Sequence, residues 1–255
     1  MRRRGAAEAK GPAPPWLRGA KLVLVLLAVA FGGFLLWGYG RNHPEDLPWT
    51  PLDLARPVGA FTGRKLASLA DDPGRCQRLL GRAGVRFARV APKRGGEHCG
   101  YQGGVQLAPG GALSIAYRRA DVATSCPVAA GLALWEWHVV QPAALEHLGS
   151  RVTAIDHFGS YSCRRIYGRS EGQWSEHAEA NALDVAAFRL ADGRRVSVLA
   201  DWRDPGAKGR FLHAVRDGAC RLFATTLSPD YNAAHRDHLH LDQAKRGAMG
   251  WRGCR

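Results

Sequence analysis

Between Leu22 and Tyr39 eighteen consecutive positions are uncharged and almost all apolar. That is the short end of what a bilayer-spanning helix needs. Arg2, Arg3, Arg4, Lys10, Arg18 and Lys21 precede the run. Basic flanks stay on the cytoplasmic side, so the expected topology keeps the N-terminus in the cytoplasm and exports everything after Tyr39. Two readings of the run stay open: a retained anchor, or a cleaved signal peptide with Ala28-Val29-Ala30 as its small-residue site. The apolar run continues through Phe31, Phe34, Leu35, Leu36 and Trp37, which favours the anchor. The expected organisation is a basic tail over 1–21, a transmembrane anchor over 22–39, a Pro-rich linker over 40–62 and an exported domain over 63–255.

Beyond the linker the periodicity changes repeatedly. Residues 64–82 read as helical, interrupted by Asp71-Asp72-Pro73-Gly74. Gly84 to Val90 alternates apolar and basic positions, as a half-buried strand does. Gly104–Leu107 and Leu113–Tyr117 are expected to pair as a hairpin across Pro109-Gly110-Gly111. From Cys126 to Leu148 an apolar stripe runs at helical period through Ala130, Leu134, Trp137, Ala144, Leu145 and Leu148. Pro142 should kink or divide it. Val152–Ile155 and Ala182–Phe188 read as strands. The second returns across Asp192-Gly193 into Val196–Ala200. Gly209–Phe223 reads as a helix and His238–Leu241 as a short strand. Helices and strands are interspersed, so the fold class expected is α+β with a mainly antiparallel sheet and flanking helices.

Charge and cysteines narrow the setting. The net charge is +14; residues 1–41 hold seven basic residues and one acidic, leaving the remainder at +8. A basic surface suits nucleic acid, anionic lipid or an acidic polymer equally. The topology decides against nucleic acid. All six cysteines follow the apolar run, with no Cys-x-x-Cys pair, which points to disulfides in an oxidising compartment. Pairing neighbours in sequence, Cys76–Cys99, Cys126–Cys163 and Cys220–Cys254, closes moderate loops without long crossings, and that pairing is the expectation.

The chemistry gathers in two segments. Ser175-Glu-His177-Ala-Glu-Ala-Asn-Ala-Leu-Asp184 supplies an imidazole and a carboxylate, and His235-Arg-Asp237-His238-Leu-His240 supplies three more imidazoles. In a strand, residues two apart share a side. If the strands holding Asp184 and His240 are neighbours, these two converge, and His177 on the preceding loop closes the third corner. Three ligands of mixed N and O type leave a position for water, the pattern of a catalytic zinc site. His43, His98, His138, His147, His157 and His213 lack such a context and read as ordinary histidines.

Ser175-x-His177-x(4)-Ala182-x-Asp184 with His238-x-His240 resembles the zinc peptidases that include D-Ala-D-Ala carboxypeptidases and murein endopeptidases, related in fold to the hedgehog signalling domain. The resemblance implies His177, Asp184 and His240 as zinc ligands, with His238 as base or transition-state stabiliser. It also implies a site role for His235, and an orienting or base role for Asp237. Arg164 or Arg165 takes the place of an arginine that binds a substrate carboxylate or the developing oxyanion. Two positions depart from the pattern: Ala180 stands where glycine is usual, and Asp237 where one branch has a glutamate base. Over most of the exported part, Leu52-Asp-Leu54, Tyr161-Ser-Cys-Arg164, Asn181-Ala-Leu-Asp184 and His235-x-Asp-His238-x-His240-Leu-Asp242 look like the bacterial extensin-like C-terminal domain family. The resemblance implies a zinc hydrolase anchored in the inner membrane, facing the periplasm. It would act on peptidoglycan peptides as an endopeptidase or carboxypeptidase. The alternative is a non-catalytic zinc protein that binds or assembles the wall.

Overall fold

The computed structural model of the protein describes residues 15–118, 122–247 and 251–255. It divides into a unit ending at Pro44 and a second covering Glu45–Arg255. In the first, helix α1 (Pro15–Asn42) extends the apolar run at both ends. Its segment Gly19–Asn42 is long and apolar enough to cross a membrane. At 1.5 Å per residue a helix of this length spans about 36 Å, against a hydrocarbon core of about 30 Å.

In the second unit the Pro-rich stretch contributes Leu52 and Leu54 to the buried core, while Trp49 stays 77% exposed. Helix α2 (Thr62–Ala67) runs through a 3₁₀ turn to Asp72. There the Asp72 carboxylate caps α3 (Pro73–Arg82) by accepting from the Arg75 amide at 2.8 Å. The Asp-Pro-Gly break is thus a stop followed by a fresh start, with Pro73 in the first turn where its missing N–H is harmless. Strand β1 (Val85–Arg89) follows, then the short pair β2 (Lys93–Arg94) and β3 (Gly100–Tyr101), then β4 (Val105–Gly111), β5 (Ala116–Arg118) and β6 (Ala123–Thr124). The expected hairpin across Pro109-Gly110-Gly111 does not form. β4 pairs with β1 and β6, whereas β5 joins a different sheet, parallel to β7 (Val152–Gly159). Gly110 and Leu113 close a tight turn with a single antiparallel bridge, but Leu113 and Ile115 are drawn into the core and the chain passes to the other sheet without further pairing.

The helical stripe after Cys126 is divided in the way the proline demands. Helix α4 (Cys126–Trp135) passes through a π turn at Glu136–Val140 into α5 (Gln141–Leu148), with Pro142 in the first turn of α5. A proline nitrogen cannot donate to the carbonyl four residues back, and the wider turn absorbs the defect. Gly149, at φ 66°, closes α5 in the left-handed conformation.

The main sheet has seven strands. Its order is β12 (Gly253–Cys254), β10 (Thr225–Leu227), β11 (Leu239–Asp242), β8 (Ala182–Leu190), β7, β5, with β9 (Arg195–Ser197) also pairing β8. All pairings are antiparallel except β5 with β7 and β10 with β12. The return across Asp192-Gly193 forms as expected, but Val198 begins a short helix, α6 (Val198–Asp201), instead of prolonging the strand. Helix α7 (Ala207–Leu222) and α4 cover one face of the sheet. Trp135 packs against Phe188 at 5.8 Å and Phe188 against Phe211 at 5.0 Å, and the Trp135 indole N–H donates to Val215 O at 2.9 Å. The protein is therefore α+β, with antiparallel pairing dominant and helices flanking the sheet.

The disulfides are Cys76–Cys126, Cys99–Cys163 and Cys220–Cys254. Only the last follows the sequential pairing. Cys76 and Cys126 lie on α3 and at the start of α4, which pack together, so helix packing overrides loop length.

Candidate metal centre

Strand β8 changes face partway along. Opposite it, Asp156 aligns with Ala187 but His157 with Val185, so Ala186 is an extra residue: a β-bulge. Leu183 and Val185 before the bulge, and Phe188 and Leu190 after it, all enter the core. Asp184 is thereby turned to the opposite face. In β11 the core takes Leu239 and Leu241, so His240 and Asp242 share that opposite face. His240 and Asp184 are direct cross-strand partners.

The third corner comes from a capped turn. Ser175 Oγ accepts from the His177 amide, opening a 3₁₀ turn over Glu176–Glu179 that Ala180 ends at φ 53°. His177 Nε2 then lies 3.2 Å from Asp184 Oδ1 and 3.2 Å from His240 Nδ1, and His240 Nδ1 lies 3.0 Å from Asp184 Oδ1. These three atoms form a triangle with sides like one face of a tetrahedral site. Zinc–ligand bonds of about 2.0–2.1 Å imply an edge of about 3.3 Å.

The outer nitrogens decide what the inner ones can do. His177 Nδ1–H donates to the Ser160 carbonyl at 2.6 Å, and a carbonyl can only accept. His240 Nε2–H donates to Asp242 Oδ2 at 3.1 Å. A neutral imidazole held this way turns a bare lone pair inward. Two such lone pairs and a carboxylate oxygen, at about 3 Å from one another, need a positive charge between them. A proton can serve. Burial lowers the His240 pKa, but Asp184 and Asp242 outweigh it and raise it to about 9. Burial likewise pushes the Asp184 carboxyl up, and the His177 and His240 imidazoles overcome this to hold it well below the usual carboxylate range. A dication fits the same position and satisfies all three donors at once.

Around the triangle the remaining candidates take separate places. His238 lies one residue before β11 rather than within it, and its Nδ1–H donates to Asp237 Oδ1 at 2.8 Å. This leaves Nε2 facing the centre, 3.6 Å from Asp184 Oδ1. His235 donates through Nδ1 to Asn232 Oδ1 at 2.8 Å. Burial and the nearby His238 and His240 lower its pKa to about 4, so it is neutral at neutral pH. Arg164 lines the cavity above the triangle; Arg165 does not, being held to Gly172 O and stacked over Trp174. That cavity has a volume of about 1000 Å³.

Residues that sequence reasoning passed over complete the surroundings. Asp242 was legible, since it sits two positions after His240 in one strand. Tyr167 and Tyr231 flank His235 with ring centroids at 6.4 and 5.5 Å, and Asn232 Nδ2 donates to the Tyr167 hydroxyl. Tyr167 has a left-handed backbone, φ 59°, which no local sequence signal announces.

The fold and site together define an α+β protein with a two-histidine, one-carboxylate triangle at the floor of an open cavity. A family model described as extensin-like protein C-terminus matches residues 74–255, well over half of the chain, and the protein belongs to that family. No curated protein and no solved structure matches it.

Proposed function

We propose that the protein is a zinc hydrolase acting on peptide bonds of peptidoglycan, held in the inner membrane by α1 with its N-terminus cytoplasmic and its domain periplasmic. This reading takes up the likeness to the zinc peptidases that include D-Ala-D-Ala carboxypeptidases and murein endopeptidases. The observation that carries it is the triangle of His177 Nε2, Asp184 Oδ1 and His240 Nδ1, with both outer imidazole nitrogens engaged and one side open to the cavity. A zinc ion bound there lowers the pKa of a coordinated water towards neutrality and polarises a carbonyl.

The chain's own groups supply the rest. Asp237 holds the His238 proton on Nδ1, so that Nε2 can take the proton of the attacking water and pass it to the leaving amine. Arg164 at the cavity wall offers its guanidinium to the carbonyl oxygen as negative charge develops there. His235, neutral, offers a hydrogen-bonding nitrogen and no charge. The six cysteines, all disulfide-bonded, accord with an oxidising compartment.

One observation favours the alternative, a non-catalytic wall-binding zinc protein: an aspartate stands at 237 where a glutamate base is usual in one branch of the similar peptidases. The test is mass spectrometry of muropeptides incubated with the zinc-loaded protein, with His177→Ala as control. New products in the wild type alone support hydrolysis. Muropeptides of every cross-link type left intact by a protein carrying stoichiometric zinc would sink it.

A further inference from the structure

The cavity over the ligand triangle does not stop at Glu176. Glu176 and Lys245 line it, and both also line a second cavity of about 870 Å³. Together the two exceed the ~300–1,000 Å³ of a pocket built for one small molecule. The sill between them is fixed: Asn181 Nδ2 donates to Glu176 Oε2 at 2.6 Å, and Asn181 Oδ1 accepts from Ser125 Oγ at 2.7 Å. The second cavity is bordered by Cys99 and Cys126, one from each of two disulfides, so its walls are covalently tied. Its other wall carries Lys93 and Arg94, exposed on the short strand β2. Lys93 Nζ sits 4.2 Å from the centre of the Tyr161 ring, which leaves the ammonium free to meet an anion.

A site that trims chain ends must close around the terminus. Here a second chamber of similar size adjoins the cavity across Glu176, its wall carrying Lys93 and Arg94 beside the carboxylates of Glu176 and Glu179. We infer that the substrate is a branched or cross-linked peptide cut internally, one strand lying in the cavity over the triangle and the second strand crossing Glu176. The second strand's free carboxylates meet Lys93 and Arg94. This rests on the hydrolase reading above and narrows it to the endopeptidase type.

Binding tests it directly. The full-length His238→Ala protein, zinc-loaded in detergent, is titrated calorimetrically with a linear pentapeptide and with its amide-cross-linked dimer, both bearing free carboxylates. The dimer is expected to bind about tenfold more tightly, the scale of two charge-assisted contacts at an exposed rim. Adding Lys93→Ala and Arg94→Ala should abolish that preference; far-UV circular dichroism checks that the fold is kept. Equal affinity for the two peptides, or a preference that survives the double substitution, overturns the inference. A dimer preference in a protein that cuts nothing refutes the hydrolase reading and leaves the two-strand groove standing. Cutting without a dimer preference does the reverse.

Discussion

Two aspartates on the same face of the main sheet are buried to nearly the same degree and surrounded quite differently. Asp156, on β7, is 6% exposed, and Asp184, on β8, is 9% exposed. Asp156 accepts from Arg189 Nε at 2.8 Å and from Arg195 Nε at 2.9 Å, so the chain supplies its countercharge permanently. Asp184 is given two imidazoles instead, each with its outer nitrogen already committed to Ser160 O or Asp242. A guanidinium is always charged, whereas an imidazole can carry a proton or give it up and present a lone pair. The first cluster keeps its countercharge permanently, and the second can hold either a proton or a metal cation. The difference separates a self-contained ion cluster from a candidate metal site without reference to any relative.

The largest expected effect breaks that comparison outright. His240→Ala removes one corner of the triangle and should abolish stoichiometric zinc and any hydrolysis together, read by elemental analysis and product formation. Asp242→Asn keeps the corner but weakens the hold on its outer nitrogen. Partners of this kind typically account for 10–100-fold in metal affinity, so zinc should bind about that much more weakly in a competition titration. Unaltered affinity in Asp242→Asn would show that the strand alone orients His240.

Asp156→Asn attacks the other cluster and should leave zinc content untouched. Burial pushes the Asp156 carboxyl up, but Arg189 and Arg195 outweigh it and hold the carboxyl below its usual value. A carboxylate with a lowered folded-state pKa contributes stability that is fully present above its unfolded value of about 3.9 and lost as pH falls through the folded value. Both arginines are about half exposed, so screening reduces the gain. The expected loss is about 1–2 kcal/mol at neutral pH, measured by denaturant unfolding. The gap between wild type and variant should begin to close as pH falls below about 4 and go on closing as pH drops through the lowered folded value. A gap that stays constant through acid would mean the cluster does not act through its charge.

Much of the candidate site's geometry was legible because it obeys local rules. The two-residue parity of a strand brings His240 beside Asp184, and the Ser175 turn delivers His177. What escaped depends on contacts far apart in sequence. The bulge at Ala186 that turns Asp184 away from the core is set by register against β7. Glu136, in the π turn, holds the approach to β5 by accepting from Ser114 N, Ser114 Oγ and Ile115 N, and no pattern around residue 136 announces a partner twenty-two positions away. The choice between Arg164 and Arg165 required the bridge from Arg165 to Trp174. Disulfide pairing required knowing that α3 lies on α4.

Backbone strain gives the subtlest form of the comparison. Among the described residues, the non-glycine positions with positive φ are Tyr167 and Ala180; both lie on the side of the candidate metal site and neither adjoins Asp156. An alanine in the left-handed region costs about 1–2 kcal/mol. Ala180 is held there because its carbonyl accepts from Ser125 N at 2.8 Å, Ser160 Oγ at 3.1 Å and Thr124 Oγ1 at 3.2 Å. Ala180→Gly should relieve the left-handed strain but give up a buried methyl, about 0.8 kcal/mol, and free the unfolded chain by about 0.4–1 kcal/mol. These changes nearly cancel, so the variant should unfold within about 1 kcal/mol of wild type and keep its zinc. Ala180→Val has no such compensation. A β-branched side chain resists positive φ and Ala180 is fully buried, so thermal melts should show a loss of about 3 kcal/mol or more, with zinc binding impaired alongside. If glycine proves as damaging as valine, the methyl of Ala180, rather than the course of its backbone, is what supports the turn carrying His177.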